Sequence, residues 1–99
     1  MKALPVRWTS KADQEFFELI MRVQRKWGDL SAQNLAAQIK ASENIIAVYP
    51  SIFQISDTRP KTRRCVVTPQ TSLHYMIMPG EIIIVSVFDN RQDPASLLQ

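Results

Sequence analysis

Two helical segments joined by a single glycine constrain this chain most. From Ser10, a favoured N-cap residue, the apolar residues recur at helical spacing, and acidic residues precede basic ones as the helix dipole favours. Gly28 ends this segment. Its apolar stripe consists of Ala12, Phe16, Leu19 or Ile20, Val23 and Trp27.

The second helical segment begins at Asp29 or Ser31, either of which can cap it, and it stops before Pro50. Its apolar stripe consists of Leu35, Ile39, Ile46 and Tyr49. A joint as short as Gly28 forces the two helices to lie side by side. The sequence therefore predicts a helical hairpin.

Residues with strand propensity flank the hairpin. Residues 4–8 predict one short strand, and the segments 62–68, 71–78 and 81–90 predict three more, rich in Val, Ile, Thr and aromatic residues. Met78-Pro79-Gly80-Glu81 suits a type II turn, so the last three strands form an antiparallel meander. Phe53 and Ile55 fit either a loop or a short extra strand.

This order predicts an α+β domain, β-α-α-β-β-β, with the hairpin packed on one face of a mostly antiparallel sheet. The opposite face is left open. The last strand is apolar on both sides, which is typical of a central, covered strand. Regular alternation puts Ile82, Ile84 and Phe88 on one side and Ile83, Val85 and Val87 on the other.

The 99 residues form one domain, 1–99, and their net charge of +3 is locally concentrated. Arg22, Arg25 and Lys26 suit the end of a helix, whereas Arg59, Lys61, Arg63 and Arg64 form a patch that would attract nucleic acid or an acidic protein segment. No apolar run suits a signal peptide or a membrane span, so we expect a cytoplasmic protein. One Cys, Cys65, and one His make no metal cluster, so we expect no metal, no cofactor and a buried, structural Cys65.

Four local motifs in this order resemble the RelE/ParE superfamily of bacterial toxin–antitoxin toxins, particularly its ParE-like branch. They are RWTSKAD after the first strand, VYP at the end of the second helix, the basic strand start TRRCVV, and the strand exit VFDNRQDP. The resemblance implies a toxin that acts on an essential process in its own cell. It also implies a cognate antitoxin as partner, with a toxin–antitoxin hetero-oligomer as one possible assembly.

The resemblance offers two targets. RelE-like toxins cleave mRNA in the ribosome with basic side chains and a C-terminal Tyr or His, whereas ParE-like toxins lack that set and poison DNA gyrase. Here Arg91 matches the RelE-like arginine, but Leu97 stands where that branch carries tyrosine. We therefore expect a ParE-like gyrase poison without catalytic residues. The alternatives are a ribosome-dependent endoribonuclease using Arg63, Arg64, His74 and Arg91, and a non-toxic partner-binding module.

His74 and Tyr75 are adjacent in one predicted strand, so they should point to opposite faces and not cooperate in one site. For both, a structural role competes with a catalytic one. The residues after the last strand are also interpreted in two ways. Asp93-Pro94 suits a helix start, whereas Asn90 and Arg91 form a loop suited to target contact. The expected target-binding residues are Arg59, Lys61, Arg63, Arg64, Asn90 and Arg91.

Overall fold

A computed structural model describes residues 2–57 and 61–89 of the chain and confirms the predicted order of elements. A short additional strand, β2, contains Ile55, whereas Phe53 lies immediately before it. The elements are β1 (Val6–Trp8), α1 (Ser10–Trp27), α2 (Asp29–Val48), β2 (Gln54–Ile55), β3 (Arg63–Val66), β4 (Thr71–Met78) and β5 (Glu81–Asp89). None of the helices in the described ranges is both long and apolar enough to cross a membrane.

The caps of the hairpin differ slightly from those predicted. The N-cap of α1 is Thr9, not Ser10, and its side chain accepts a hydrogen bond from the Ala12 N–H at 3.1 Å. Gly28 has φ +94°, a conformation that strains other residues, and it ends α1 and caps α2. Asp29 makes no cap and instead accepts a hydrogen bond from the Gln24 side chain at 2.7 Å.

The sheet has the order β1-β5-β4-β3-β2, and among the described strands only β1 and β5 pair in parallel. The predicted meander β3-β4-β5 is confirmed. β5 lies inside the sheet between β1 and β4, but the middle strand is β4. Gly80 in the β4–β5 turn has φ +77°, as the third position of a type II turn requires.

The core lies between the hairpin and one face of the sheet. The helices contribute the predicted Leu35, Ile39 and Ile46, but Tyr49 and Trp27 are each half exposed rather than packed in the core. Burial also raises the pKa of the Cys65 thiol, against a smaller opposing effect of a hydrogen bond with Ser42. The buried residues of the hydrophobic core cluster are Ala12, Leu19, Val23, Ala32, Leu35, Ile39, Ile46, Cys65, Leu73, Tyr75, Ile82, Ile84 and Val87.

A β-bulge in β5 overturns the predicted alternation of that strand. Tyr75 pairs with Ile84 and the preceding His74 pairs with Ser86, so Val85 has no opposite residue in β4. Because of this one extra residue, each later side chain of β5 points to the sheet face opposite to the one predicted. Val87 therefore joins Ile82 and Ile84 in the core, and Phe88 lies on the opposite face, 42% exposed.

Candidate partner-binding face of the sheet

The sheet face turned away from the helices carries a mixed apolar and polar surface, which we call the open face. Arg64 pairs with His74 across β3 and β4, and His74 pairs with Ser86 across β4 and β5, so these three side chains form a row across the sheet. A second row of cross-strand partners lies beside it. The open face is defined by Arg64, Val66, Ser72, His74, Ser86 and Phe88.

A groove of about 750 Å³ runs between the open face and the segment 52–57 that precedes and includes β2. Its walls expose Ile55, Val66 and Phe88, the first two by more than half of their surface. Arg64 and Asp57 add one charge of each sign. Exposed apolar side chains around a groove on a small domain are typical of a protein-binding site.

The two adjacent arginines of β3 make different contacts. Arg64 is exposed on the open face, and its Nε donates a hydrogen bond to Ser72 Oγ at 3.2 Å. Arg63 is half-buried, and its guanidinium donates to the carbonyl oxygens of Phe53 at 2.7 Å and Ser51 at 3.4 Å. Thus Arg64 presents a charge to the groove, whereas Arg63 ties down the loop before β2.

His74 and Tyr75 point to opposite faces, as the alternation of the strand predicts. His74 is half-buried in the row between Arg64 and Ser86. Tyr75 is fully buried; its ring lies edge-on to Phe53 and its hydroxyl donates to the Pro50 carbonyl oxygen. Burial raises the pKa of Tyr75 to about 12, against a smaller lowering effect of the Arg63 charge. The Tyr75 hydroxyl therefore stays protonated at pH values well above neutral, and its hydrogen bond anchors the same loop as Arg63.

The end of β5 is held by an acidic residue that the sequence does not single out. β1 pairs with β5 only as far as Ile84, which leaves the next backbone groups of β5 at an edge. There Glu15 Oε1 of α1 accepts hydrogen bonds from the Val87 N–H and the Ser86 hydroxyl, each at 3.1 Å. In the sequence Glu15 is simply one of several acids early in α1, so no local signal reveals this contact.

A buried hydrogen bond fixes the last residue of β5. The Thr71 hydroxyl donates to Asp89 Oδ2 at 2.9 Å, and both residues are buried. Together with Glu15, this contact positions the point from which the chain continues to Asn90 and Arg91.

The predicted target-binding residues are only partly within the described ranges. Lys61 is exposed and has φ +71°, an uncommon conformation for a residue other than glycine. Arg59, Asn90, Arg91 and the predicted helix start Asp93-Pro94 lie outside the described residues, so their roles stay predictions.

The fold is that of RelE/ParE superfamily toxins. It is similar to the chromosomal ParDE toxin–antitoxin system of P. aeruginosa, with TM-score 0.74, 16% identity, and 88% of this chain and 96% of that chain covered. It is also similar to the RelBE2 toxin–antitoxin complex of Mycobacterium tuberculosis, with TM-score 0.64, 18% identity and 89% and 99% covered. The YoeB dimer of Staphylococcus aureus matches with TM-score 0.60, 14% identity and 88% and 97% covered. At these identities the likeness shows the fold alone.

The sequence model described as the ParE toxin of the type II toxin–antitoxin system parDE matches residues 6–94. The chain therefore belongs to the ParE toxin family. No curated protein sequence matches it.

Proposed function

We propose that this protein is a growth-inhibiting toxin that poisons DNA gyrase by binding it, without catalytic residues of its own. The observation that carries the proposal is the division of the candidate nuclease residues between two sides of β3 and β4. Arg64 and His74 lie on the open face, whereas Arg63 is bonded to backbone carbonyls and Tyr75 is buried. Cleavage of RNA needs a base, an acid and cations around one phosphate, and the described residues do not converge in that way.

The groove is the surface that we assign to the antitoxin. Its apolar walls fit the apolar side of a helical segment, and Arg64 in the lining favours an acidic residue on that segment. Because Arg64 is also among the residues proposed to contact gyrase, an antitoxin in the groove would block the target. Neutralisation then needs only simple competition for one surface.

One observation favours ribosome-dependent mRNA cleavage as the second candidate. Arg64 and His74 are cross-strand partners on the same face, so a cation and a titratable imidazole lie side by side. In that mechanism His74 would move the proton of the 2′-hydroxyl and Arg64 would stabilise the charged phosphate. Arg91 would supply a further cation.

A pair of reconstituted assays separates the two functions. The purified full-length chain is added to gyrase with supercoiled plasmid, and separately to ribosomes translating a defined mRNA. We expect inhibited supercoiling with accumulation of linearised plasmid, and intact mRNA. Codon-phased cleavage of the mRNA with unaffected gyrase would replace the first proposal by the second.

A growth experiment tests toxicity and the antitoxin together. Expression of the chain alone should arrest growth, and co-expression of the antitoxin encoded by the neighbouring gene should restore it. Normal growth at high levels of folded protein without that gene would identify a non-toxic module of the same fold.

A further inference from the structure

The outer surface of α1 exposes two large apolar side chains that the proposed function does not use. Phe17 is 62% exposed and Met21 is 38% exposed. The buried residues of α1 are Ala12, Leu19 and Val23, which lie on the other side of the helix. Because Phe17 and Met21 are four residues apart, they are neighbours and form one apolar patch.

Opposite charges flank this patch at equal spacing. Asp13 lies four residues before Phe17, and Arg25 lies four residues after Met21; both charged residues are exposed. The sequence positions 13, 17, 21 and 25 therefore form a single ridge along α1. Its midpoint falls at position 19, with an apolar residue and then a charged residue on each side.

Such a ridge is complementary to itself when reversed. In an antiparallel pair of α1 helices, Phe17 faces Met21 of the second copy, and Asp13 faces Arg25 of the second copy. A parallel pair would instead place like charges together. The self-complementary arrangement is the one that a two-fold symmetric interface requires.

We propose that the Asp13–Arg25 ridge of α1 is a self-association face, on which two copies of this chain pair antiparallel about a two-fold axis. Aligning this ridge with the same ridge of the second copy requires a crossing angle of roughly 50°, because rows of residues spaced by four are inclined to the helix axis. The charged ends then stay in reach, since each lies only about 9 Å along the helix from the two-fold axis. The open face lies on the other side of the sheet, so the dimer leaves both grooves accessible. This inference is independent of whether the target is gyrase or the ribosome.

The dimer is expected to be weak, because one pair of helices buries less than the roughly 1,200 Å² of a standard interface. Sedimentation velocity of the full-length chain should therefore extend to roughly 1 mM protein. We expect reversible monomer–dimer exchange that weakens with added salt, since exposed charge pairs are screened. Phe17→Ser should raise the dimer dissociation constant about tenfold or more.

A charge exchange is the sharper test. Asp13→Arg and Arg25→Asp each place like charges opposite one another and should each weaken the dimer, whereas the double variant restores attraction and should restore dimerisation. Both substitutions oppose the helix dipole, so circular dichroism must verify that every variant remains folded. Exchanging Arg7, an exposed cation on β1, for Asp serves as the matched control and should leave the dimer unchanged.

Two results would overturn this proposal. One is a monomeric wild-type chain across the whole concentration range. The other is a dimer that is indifferent to Phe17→Ser and to either single charge exchange, which would place the interface elsewhere. If Phe17→Ser weakened antitoxin binding while the wild-type chain stayed monomeric, the ridge would belong to the antitoxin and not to a second copy.

Discussion

The neighbouring residues Arg63 and Arg64 provide a direct separation of stability from toxicity. Arg63→Ala removes the guanidinium that donates to the carbonyl oxygens of Phe53 and Ser51. A hydrogen bond to a charged group contributes about 1.5–3 kcal/mol, and partial exposure of Arg63 reduces this. We expect a loss of about 1–2 kcal/mol of unfolding free energy, or roughly 4–16 °C in Tm for a domain of this size.

Arg64→Ala should behave in the opposite way. Arg64 is exposed and contributes one hydrogen bond to Ser72, so its removal should change the unfolding free energy by no more than about 0.5 kcal/mol. Because Arg64 lines the groove, loss of its positive charge should abolish or strongly reduce growth arrest. Arg63→Ala should stay toxic at temperatures where it remains folded.

Urea unfolding of the purified variants measures the first effect, and growth after titrated induction measures the second. Arg7→Ala is the matched control, since it removes an exposed arginine whose ion pair with Glu81 lies at the β1 edge, far from β3. Full toxicity of Arg64→Ala would refute its assignment to the target-binding site. Unchanged stability of Arg63→Ala would refute the role assigned to the loop contacts.

Three further predictions concern Tyr75, Glu15 and Arg91. Above pH 10 the wild-type chain should lose unfolding free energy faster than Tyr75→Phe, by up to about 2 kcal/mol, because the pKa of tyrosine is near 10 in the unfolded chain and about 12 in the folded one. Urea unfolding at several pH values measures this loss. If the burial argument were wrong, the unfolding free energies of the two proteins would fall in parallel with pH. Glu15→Ala should accelerate hydrogen exchange of the Val87 amide, because the carboxylate that accepts from this amide is lost. Glu15→Gln keeps an acceptor and should accelerate the exchange less. Equal exchange rates in the two variants would contradict the contact at the edge of β5. Arg91→Ala should abolish toxicity without changing Tm or antitoxin affinity, and a fully toxic variant would remove Arg91 from the site.

The sequence by itself determined the order of elements and the side of each helix that enters the core. Helical spacing of Leu35, Ile39 and Ile46 needs only the 3.6-residue period and one apolar partner surface, and a glycine or proline at a helix end acts within a single turn. These signals depend only on residues close in sequence, so they can be read without knowledge of the packing. The basic residues of β3, and the placement of His74 and Tyr75 on opposite faces of the sheet, follow from local sequence in the same way.

Only the tertiary structure decided on which face of the sheet Phe88 lies and which contacts Arg63 and Arg64 make. The bulge at Val85 exists because of how β4 and β5 pair, and no pattern within β5 marks it. Arg63 becomes structural because a loop from ten residues earlier presents carbonyl oxygens to it, and Glu15 holds β5 across 72 residues of sequence. Such contacts depend on which surfaces meet in space, whereas propensity and periodicity describe only neighbours along the chain.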